Sequence, residues 1–254
     1  MVGPFSTSMQ TSNDGVQDDT PAAGRDSSRP TDDGWARDLS PMEEKSIRLL
    51  NLVVAILGLI AFFPIGVLVA TAIKLTSRGP VLYTQTRIGL DRRTQPARST
   101  TPKRFKDLGG KPFKIYKFRT MRVDAEHGTG AVWAKKHDPR ITLIGGALRQ
   151  YRLDEIPQLW NVIRGEMAVV GPRPERPTIF AELREKVPNY KYRQRALPGI
   201  TGYAQINLAY DSSIDDVREK LRHDLEFIQK RSLWLDIKIM LQTVPVMLFR
   251  RGSR

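Results

Sequence analysis

From Leu49 to Ile73, 25 residues pass without a charge, bounded by Arg48 and Lys74. About 20 helical residues cross a bilayer core, so this run is long enough to insert. It begins too far from the N-terminus, behind an acidic stretch, to be a secretory signal peptide. A soluble core helix of this length would carry a polar stripe, and here only Asn51 and Thr71 are polar. Pro64 sits near its middle and removes one backbone hydrogen bond. Two topologies follow: a kinked spanning helix, or a helix–break–helix that dips into the membrane and returns to the same face.

Beyond the membrane run the pattern shortens. Val81–Gln85 and Phe113–Phe118 alternate as strands do. After Glu155, residues Ile156, Leu159, Trp160 and Ile163 recur at helical spacing, with Pro157 tolerated in a first turn. A helix over Asp215–Lys230 places Val217, Leu221, Leu225 and Ile228 on one face and opens on Asp215 and Asp216. Leu233–Phe249 starts amphipathic and becomes nearly all apolar, as for a helix lying in the membrane interface, with a buried core helix as the competing reading. The fold class expected is α/β, mainly α with short strands, in a monotopic membrane protein. Its units are a disordered acidic tail over 1–45, a re-entrant membrane segment over 46–76 and a cytoplasmic domain over 77–254.

Charge sharpens this organisation. The chain of 254 residues has a net charge of +14, yet residues 1–45 hold nine Asp/Glu against four Lys/Arg. The rest is therefore strongly basic, which calls for an anionic partner: nucleic acid, lipid headgroups or phosphorylated substrates. Arg78–Arg122 alone contains thirteen Lys/Arg and two Asp. Directly after a membrane segment, that excess assigns Lys74 onward to the cytoplasmic side and lays it against anionic lipids. Aromatics at Phe105, Phe113, Tyr116 and Phe118 would suit base stacking, but headgroup binding accounts for the same charge, so nucleic acid is not an expected partner. With no cysteine, disulfides, thiolate catalysis and Cys-ligated zinc are excluded. His127, His137 and His223 lack the spacing of a histidine metal site.

Three segments have the composition of ligand loops or sites. Asp154-Glu155 is an acidic pair at the start of the Ile156–Ile163 pattern, where a helix dipole favours negative charge and would also attract phosphate. Taken alone, the pair reads first as a helix cap, since acidic first turns are common. Gly171–Pro177 is stiffened by three prolines and carries Arg173 and Arg176, suited to bidentate phosphate recognition. Pro198–Gln205 is turn-rich, with glycines that permit close backbone approach. Arg92–Gly110 reads as a mobile basic loop.

In this order the segments resemble the bacterial sugar transferases, polyprenyl-phosphate hexose-1-phosphate transferases of the monotopic type. The likeness rests on the apolar run with Pro64, Gly79–Gly89, Lys117–Met121, Asp138–Thr142, Leu153–Gly165, Gly171–Pro177, Pro198–Gln205 and Ser232–Asp236, spanning roughly Ser46 to Arg250. It implies transfer of a sugar-1-phosphate from a UDP-sugar to undecaprenyl phosphate with release of UMP, an early membrane step of exopolysaccharide, O-antigen or lipopolysaccharide assembly at the inner-membrane cytoplasmic face. By the same resemblance Asp154 is the nucleophile that takes the phosphosugar covalently, and Glu155 is its dyad partner associated with Mg²⁺. Arg149 binds phosphate, and Lys117, Arg119, Arg173 and Asp224 line the site. Asn207 is followed by Leu208-Ala209-Tyr210 rather than Gly-Arg-Asn, so an arginine contact at that place has no counterpart. Tyr210 and Val132-Trp133-Ala134 are similar to the catalytic domains of longer, exopolysaccharide-type members. A non-catalytic membrane-anchored scaffold of the same fold is the alternative; the intact Asp154-Glu155 pair and Arg149 speak against it.

Overall fold

A computed structural model describes residues 35–91, 109–125, 138–208 and 213–248. The acidic tail over 1–34, most of the Arg92–Gly110 loop, Val132–Ala134 and Tyr210 lie outside the described residues. Helix α1 runs from Pro41 to Thr76, 36 residues or about 54 Å. It starts five residues before the expected boundary at 46 because Ser40 and Glu43 form a reciprocal capping box and Pro41 occupies the first turn. Residues 35–40 also depart from the expected disordered tail over 1–45. Trp35 stacks on Tyr192 at 4.9 Å, Ala36 is buried, and the Arg37 N–H donates to the Ile228 carbonyl.

No break appears at Pro64: the helix continues through it. Among the described residues α1 is long and apolar enough to cross a membrane. Its two faces differ. Ile47, Asn51, Ala55, Val69 and Ile73 are buried against the rest of the chain, at spacings near one helical turn or its multiples. Leu57, Ile60, Phe63 and Leu68 on other faces are exposed. Small residues keep the buried stripe close: a Cβ on Gly58 would lie 3.0 Å from Leu159, and one on Gly66 would lie 3.7 Å from the Phe118 ring. Asn51, the one buried polar residue of α1, accepts the Val169 N–H at 2.5 Å and donates to the Ile47 carbonyl.

The two expected strands are present as β1 (Leu82–Ile88) and β2 (Pro112–Phe118), and they form an antiparallel pair with Tyr83 opposite Lys117. Helix α2 (Leu143–Gln150) follows, capped by Thr142, and then a 3₁₀ turn over Leu153–Glu155 and helix α3 (Gln158–Ile163). A second, parallel pair joins β3 (Ala168–Val170) to β4 (Gly199–Thr201). Between them lie α4 (Pro177–Lys186) and a 3₁₀ stretch over Tyr190–Arg195. Helices α5 (Tyr203–Asn207), α6 (Ile214–Lys230) and α7 (Leu233–Leu248) complete the chain. The mainly helical architecture with short strands agrees with the sequence reading, and α6 buries the expected Val217, Leu221, Leu225 and Ile228. Pro198–Gln205, expected as a loop, is instead a strand followed by a helical turn, held because Gly171 and Gly199 let two backbones approach; a Cβ at either would collide with the other's main chain.

Helix α7 has a buried side and an exposed side. Ile239 and Asp236 are fully buried, while Trp234 and Leu241 are exposed. Neither oxygen of Asp236 has a hydrogen-bond partner, and burial pushes its pKa up to about 6, opposed by Arg231. A carboxyl that is harder to ionise folded than unfolded costs stability once ionised, so the penalty grows as pH rises from the ordinary aspartate range through about 6. Asp236→Asn is therefore expected to stabilise the protein by about 2–3 kcal/mol at neutral pH, with the gain gone near pH 4. Thermal unfolding at both pH values measures this, and a variant less stable than wild type at neutral pH would contradict it.

Candidate active site

Strand alternation brings the first cation inward. In β2, Phe113 and Ile115 point to the core, and Lys117 continues the same face. Its Nζ lies 2.7 Å from Glu155 Oε1 and 3.9 Å from Asp154 Oδ2, so one ammonium touches both carboxylates. Arg173, from the segment after β3, donates from Nη2 to the same Glu155 oxygen at 2.8 Å. Arg152 lies 3.8 Å from Glu155 Oε2. Arg152 was not anticipated, although its spacing of three residues from Glu155 is a readable signal. It also has φ of 53°, a left-handed conformation uncommon for a residue with a Cβ, which turns the chain sharply out of α2 into the acidic pair.

The expected helix-dipole support for the pair needs correction. Asp154 and Glu155 occupy their own 3₁₀ turn, ahead of a helix only six residues long, and no side chain caps either start. Of the expected apolar face, Ile156, Leu159 and Ile163 pack on the core, but Trp160 is 51% exposed, and Gln158, Asn161 and Val162 are buried. Asn161 causes this. It is completely buried, accepts the Tyr116 N–H and donates to the Lys114 carbonyl, locking α3 onto β2. The negative charges are thus stabilised by lysine and arginine side chains and not by a macrodipole.

The two carboxylates differ. Burial would raise the Glu155 pKa, but Arg173 and Lys117 outweigh it and hold the group well below the usual carboxylate range. For Asp154 burial wins, and the neighbouring Glu155 adds to it, so its pKa is raised despite Lys117, Arg173 and Arg149. Asp154 accepts no hydrogen bond among the described residues, and its side chain keeps 12% exposure. Glu155 is held through Oε1 by two cations, and Asp154 is the carboxylate left without a hydrogen bond among the described residues. Leu153 and Ile156, on either side of the pair, pack with Val69, Ile73 and Phe118, which seats the turn on the C-terminal half of α1.

Of the other expected site residues, Arg149 ends α2 within electrostatic reach of Asp154, and its guanidinium makes no hydrogen bond among the described residues. Arg119 does not join them. It is buried and donates to the carbonyls of Ser77 and Arg78 and to the Ser77 hydroxyl, closing the end of α1. Asp224 is also displaced from the expected lining, because it is buried against Arg193. Arg119→Ala should accordingly lower stability by about 1.5–3 kcal/mol, the scale of hydrogen bonds from a charged group, while leaving KM at the Asp154-Glu155 site unchanged. Thermal unfolding and steady-state kinetics together check this; a raised KM at unchanged stability would return Arg119 to the substrate site.

The family model for bacterial sugar transferases matches residues 42–250. The chain belongs to that family. It is 36% identical, over 85% of its length, to a UDP-N-acetylgalactosamine-undecaprenyl-phosphate N-acetylgalactosaminephosphotransferase of Aeromonas hydrophila. It is 40% identical, again over 85% of its length, to an undecaprenyl-phosphate glucose phosphotransferase of Komagataeibacter xylinus. The matched regions are 46% and 38% of those proteins, so the chain spans less than half the length of each. With a UDP-glucose:undecaprenyl-phosphate glucose-1-phosphate transferase of Caulobacter vibrioides it shares 39% identity, over 79% of this chain and 69% of the relative. In this sugar transferase the Asp154-Glu155 turn, Lys117, Arg149 and Arg173 all fall inside the matched region.

Proposed function

We propose that this chain transfers a sugar-1-phosphate from a UDP-sugar to undecaprenyl phosphate, releasing UMP, through a covalent intermediate on Asp154. The observation that carries the reading is the state of Asp154: a buried carboxylate that accepts no hydrogen bond, ringed by Lys117, Arg173 and Arg149. An Asp154 oxygen attacks the sugar-bearing phosphorus, forming a P–O bond as the pyrophosphate P–O bond breaks and its electron pair leaves on UMP. The lipid phosphate then attacks the same phosphorus and expels Asp154 as a free carboxylate, so no proton transfer is required. Two substrates, one aqueous and one in lipid, favour such a relay. Lys117, Arg173 and Arg149 neutralise charge on the transferring group.

Asp154 and Glu155 fit a Mg²⁺ ion, since Asp154 is unengaged and Glu155 Oε2 meets only Arg152 at 3.8 Å. Among the described residues there is no cluster of three His, Cys, Asp or Glu, which agrees with an ion that takes its remaining ligands from substrate phosphates and water. When bound, Mg²⁺ supplies charge neutralisation at the pyrophosphate.

The unbroken α1 does not form the expected helix–break–helix at Pro64, but the monotopic reading gains support from how α1 is held. At its start Arg48 donates to the Val162 and Ile163 carbonyls; at its end Arg119 holds Ser77 and Arg78. From Ile47 to Ile73, about 39 Å apart along the helix, both ends rest on one domain, whereas the bilayer core is about 30 Å thick. A spanning α1 would drag Lys117, Arg173 and the acidic pair through hydrocarbon, where charge is costly. On this reading the apolar face of α1 and the exposed Trp160, Trp234 and Leu241 meet lipid on the cytoplasmic side of the inner membrane, and anionic lipids bind the basic surface. The product is the lipid-linked first sugar of an exopolysaccharide or O-antigen.

UMP release from a panel of UDP-sugars, assayed in lipid with and without undecaprenyl phosphate, tests the activity; no release from any of them would refute it. For topology, a cysteine placed at Ser40 is expected to stay protected from impermeant thiol reagents in intact cells. Labelling from outside would mean that α1 spans.

A further inference from the structure

Arg193 is the largest fully buried side chain among the described residues. A guanidinium has five N–H donors in one rigid plane, and here all five are used. Nε and Nη2 donate to Asp224 Oδ2 at 3.1 and 2.7 Å. Nη1 donates to Glu175 Oε1 at 3.0 Å and to the Tyr190 hydroxyl at 2.7 Å. The second Nη2 hydrogen goes to the main-chain carbonyl of Arg173 at 3.1 Å. No donor remains for a ligand, and burial keeps substrate away. The two carboxylates keep the cation charged: Arg193 is pushed well above its ordinary pKa, and Glu175 is drawn down to about 2 by Lys220 and Arg193 against the effect of burial.

The carbonyl that Arg193 grips is one of four in succession. Pro172 O accepts the Gly199 N–H at 2.9 Å, Arg173 O accepts Arg193, Pro174 O accepts Arg87 Nη1 at 3.0 Å, and Glu175 O accepts the Ile88 N–H at 3.0 Å. With prolines fixing φ at 172 and 174, the segment has little freedom left. Its Arg173 side chain reaches Glu155 from this base. Of the four grips, Arg193 alone couples the Arg173 main chain to a charge-balanced network on α6 and the 3₁₀ stretch.

We propose that Arg193 is a positioning residue for phosphosugar transfer: by holding the Arg173 carbonyl it fixes where the Arg173 guanidinium meets Glu155 and the transferring phosphate. The proposal rests on the transferase reading for its kinetic consequence and on geometry alone for its structural one. Lysine at 193 keeps the charge but cannot reach Asp224, Glu175 and the Arg173 carbonyl together. Arg193→Lys is expected to lower kcat about 100-fold, the scale of a 1 Å misplacement, with KM for the UDP-sugar little changed. Adding Arg193→Lys to Arg173→Ala should cost nothing beyond Arg173→Ala alone, because residues acting through one another are not additive. Additive losses would show that Arg193 supports the fold at large and would overturn the proposal. Tyr190→Phe, which removes one bond and leaves the Arg173 grip, should stay near wild-type rate. Should Arg193→Lys fail to fold, Asp224→Asn weakens the same anchor, with a smaller loss and the same non-additivity. Amide exchange in the full-length protein gives a readout independent of activity: Arg193→Lys should speed exchange in Gly171–Arg176 and not elsewhere. A chain that releases no UMP refutes the transferase reading, and the exchange still decides the positioning; unchanged or uniformly faster exchange overturns it.

Discussion

Replacing Asp154 with asparagine is expected to abolish transfer, by a factor on the order of 10⁴ to 10⁶ as for other nucleophiles, while the protein still folds and stays with the membrane. Asparagine has the same shape, so Leu153 and Ile156 keep their packing on Val69 and Ile73. The fold depends little on the Asp154 charge, because among the described residues its carboxylate accepts no hydrogen bond and its ion pair with Lys117 is long, at 3.9 Å. The amide lacks the lone-pair basicity to attack phosphorus. Asp154→Asn should also relieve the cost of burying a charge that already titrates high, so thermal stability should hold or rise. UMP release, membrane flotation and thermal unfolding check the three parts. An Asp154→Asn chain with wild-type turnover would remove Asp154 from the chemistry and make Glu155 the candidate.

Lys117→Ala is expected to cut turnover by about 10²- to 10³-fold, the range for removing one preorganised charge. Lys117 contacts both carboxylates, so its loss acts twice. Glu155 keeps Arg173 at 2.8 Å but loses one of the two cations that hold it ionised. Asp154 loses the largest influence lowering its pKa, leaving burial and Glu155 to raise it further against Arg173 and Arg149. On the proposed mechanism Asp154 reacts as the anion, and a higher pKa leaves less of it at a given pH. The defect should therefore be greatest at low pH and shrink as pH rises, which a pH–rate profile of wild type and variant measures. A Lys117→Ala profile parallel to wild type across the range would mean that Lys117 acts on substrate alone.

Glu155 and Asp154 show how far the sequence could be trusted at the site. The adjacency of two carboxylates, the basic excess and the resemblance singled out the pair as a candidate, and the strand alternation of Phe113–Phe118 is consistent with the face on which Lys117 sits. What supports the pair was misassigned, because an acidic residue before a helical pattern looks alike in sequence whether a helix or a 3₁₀ turn follows. Asn161 decides between them by bonding β2, 45 and 47 residues away along the chain. Arg119 and Asp224 were placed in the site by resemblance, yet each is drawn off by a partner distant in sequence: Ser77 and Arg78 for the first, Arg193 for the second.

Local rules sufficed wherever neighbours along the chain set the outcome. The length and apolarity of α1, the strand character of β1 and β2 and the face of α6 follow from period and capping, since those interactions span a few residues. The tertiary structure alone decided that both ends of α1 rest on one domain, that Trp160 faces out, and that four carbonyls of the Arg173 segment are each held by a different donor. Hydrogen bonds and buried charges have fixed reach and direction, and their partners here lie tens of residues apart, where no periodicity in the chain can announce them.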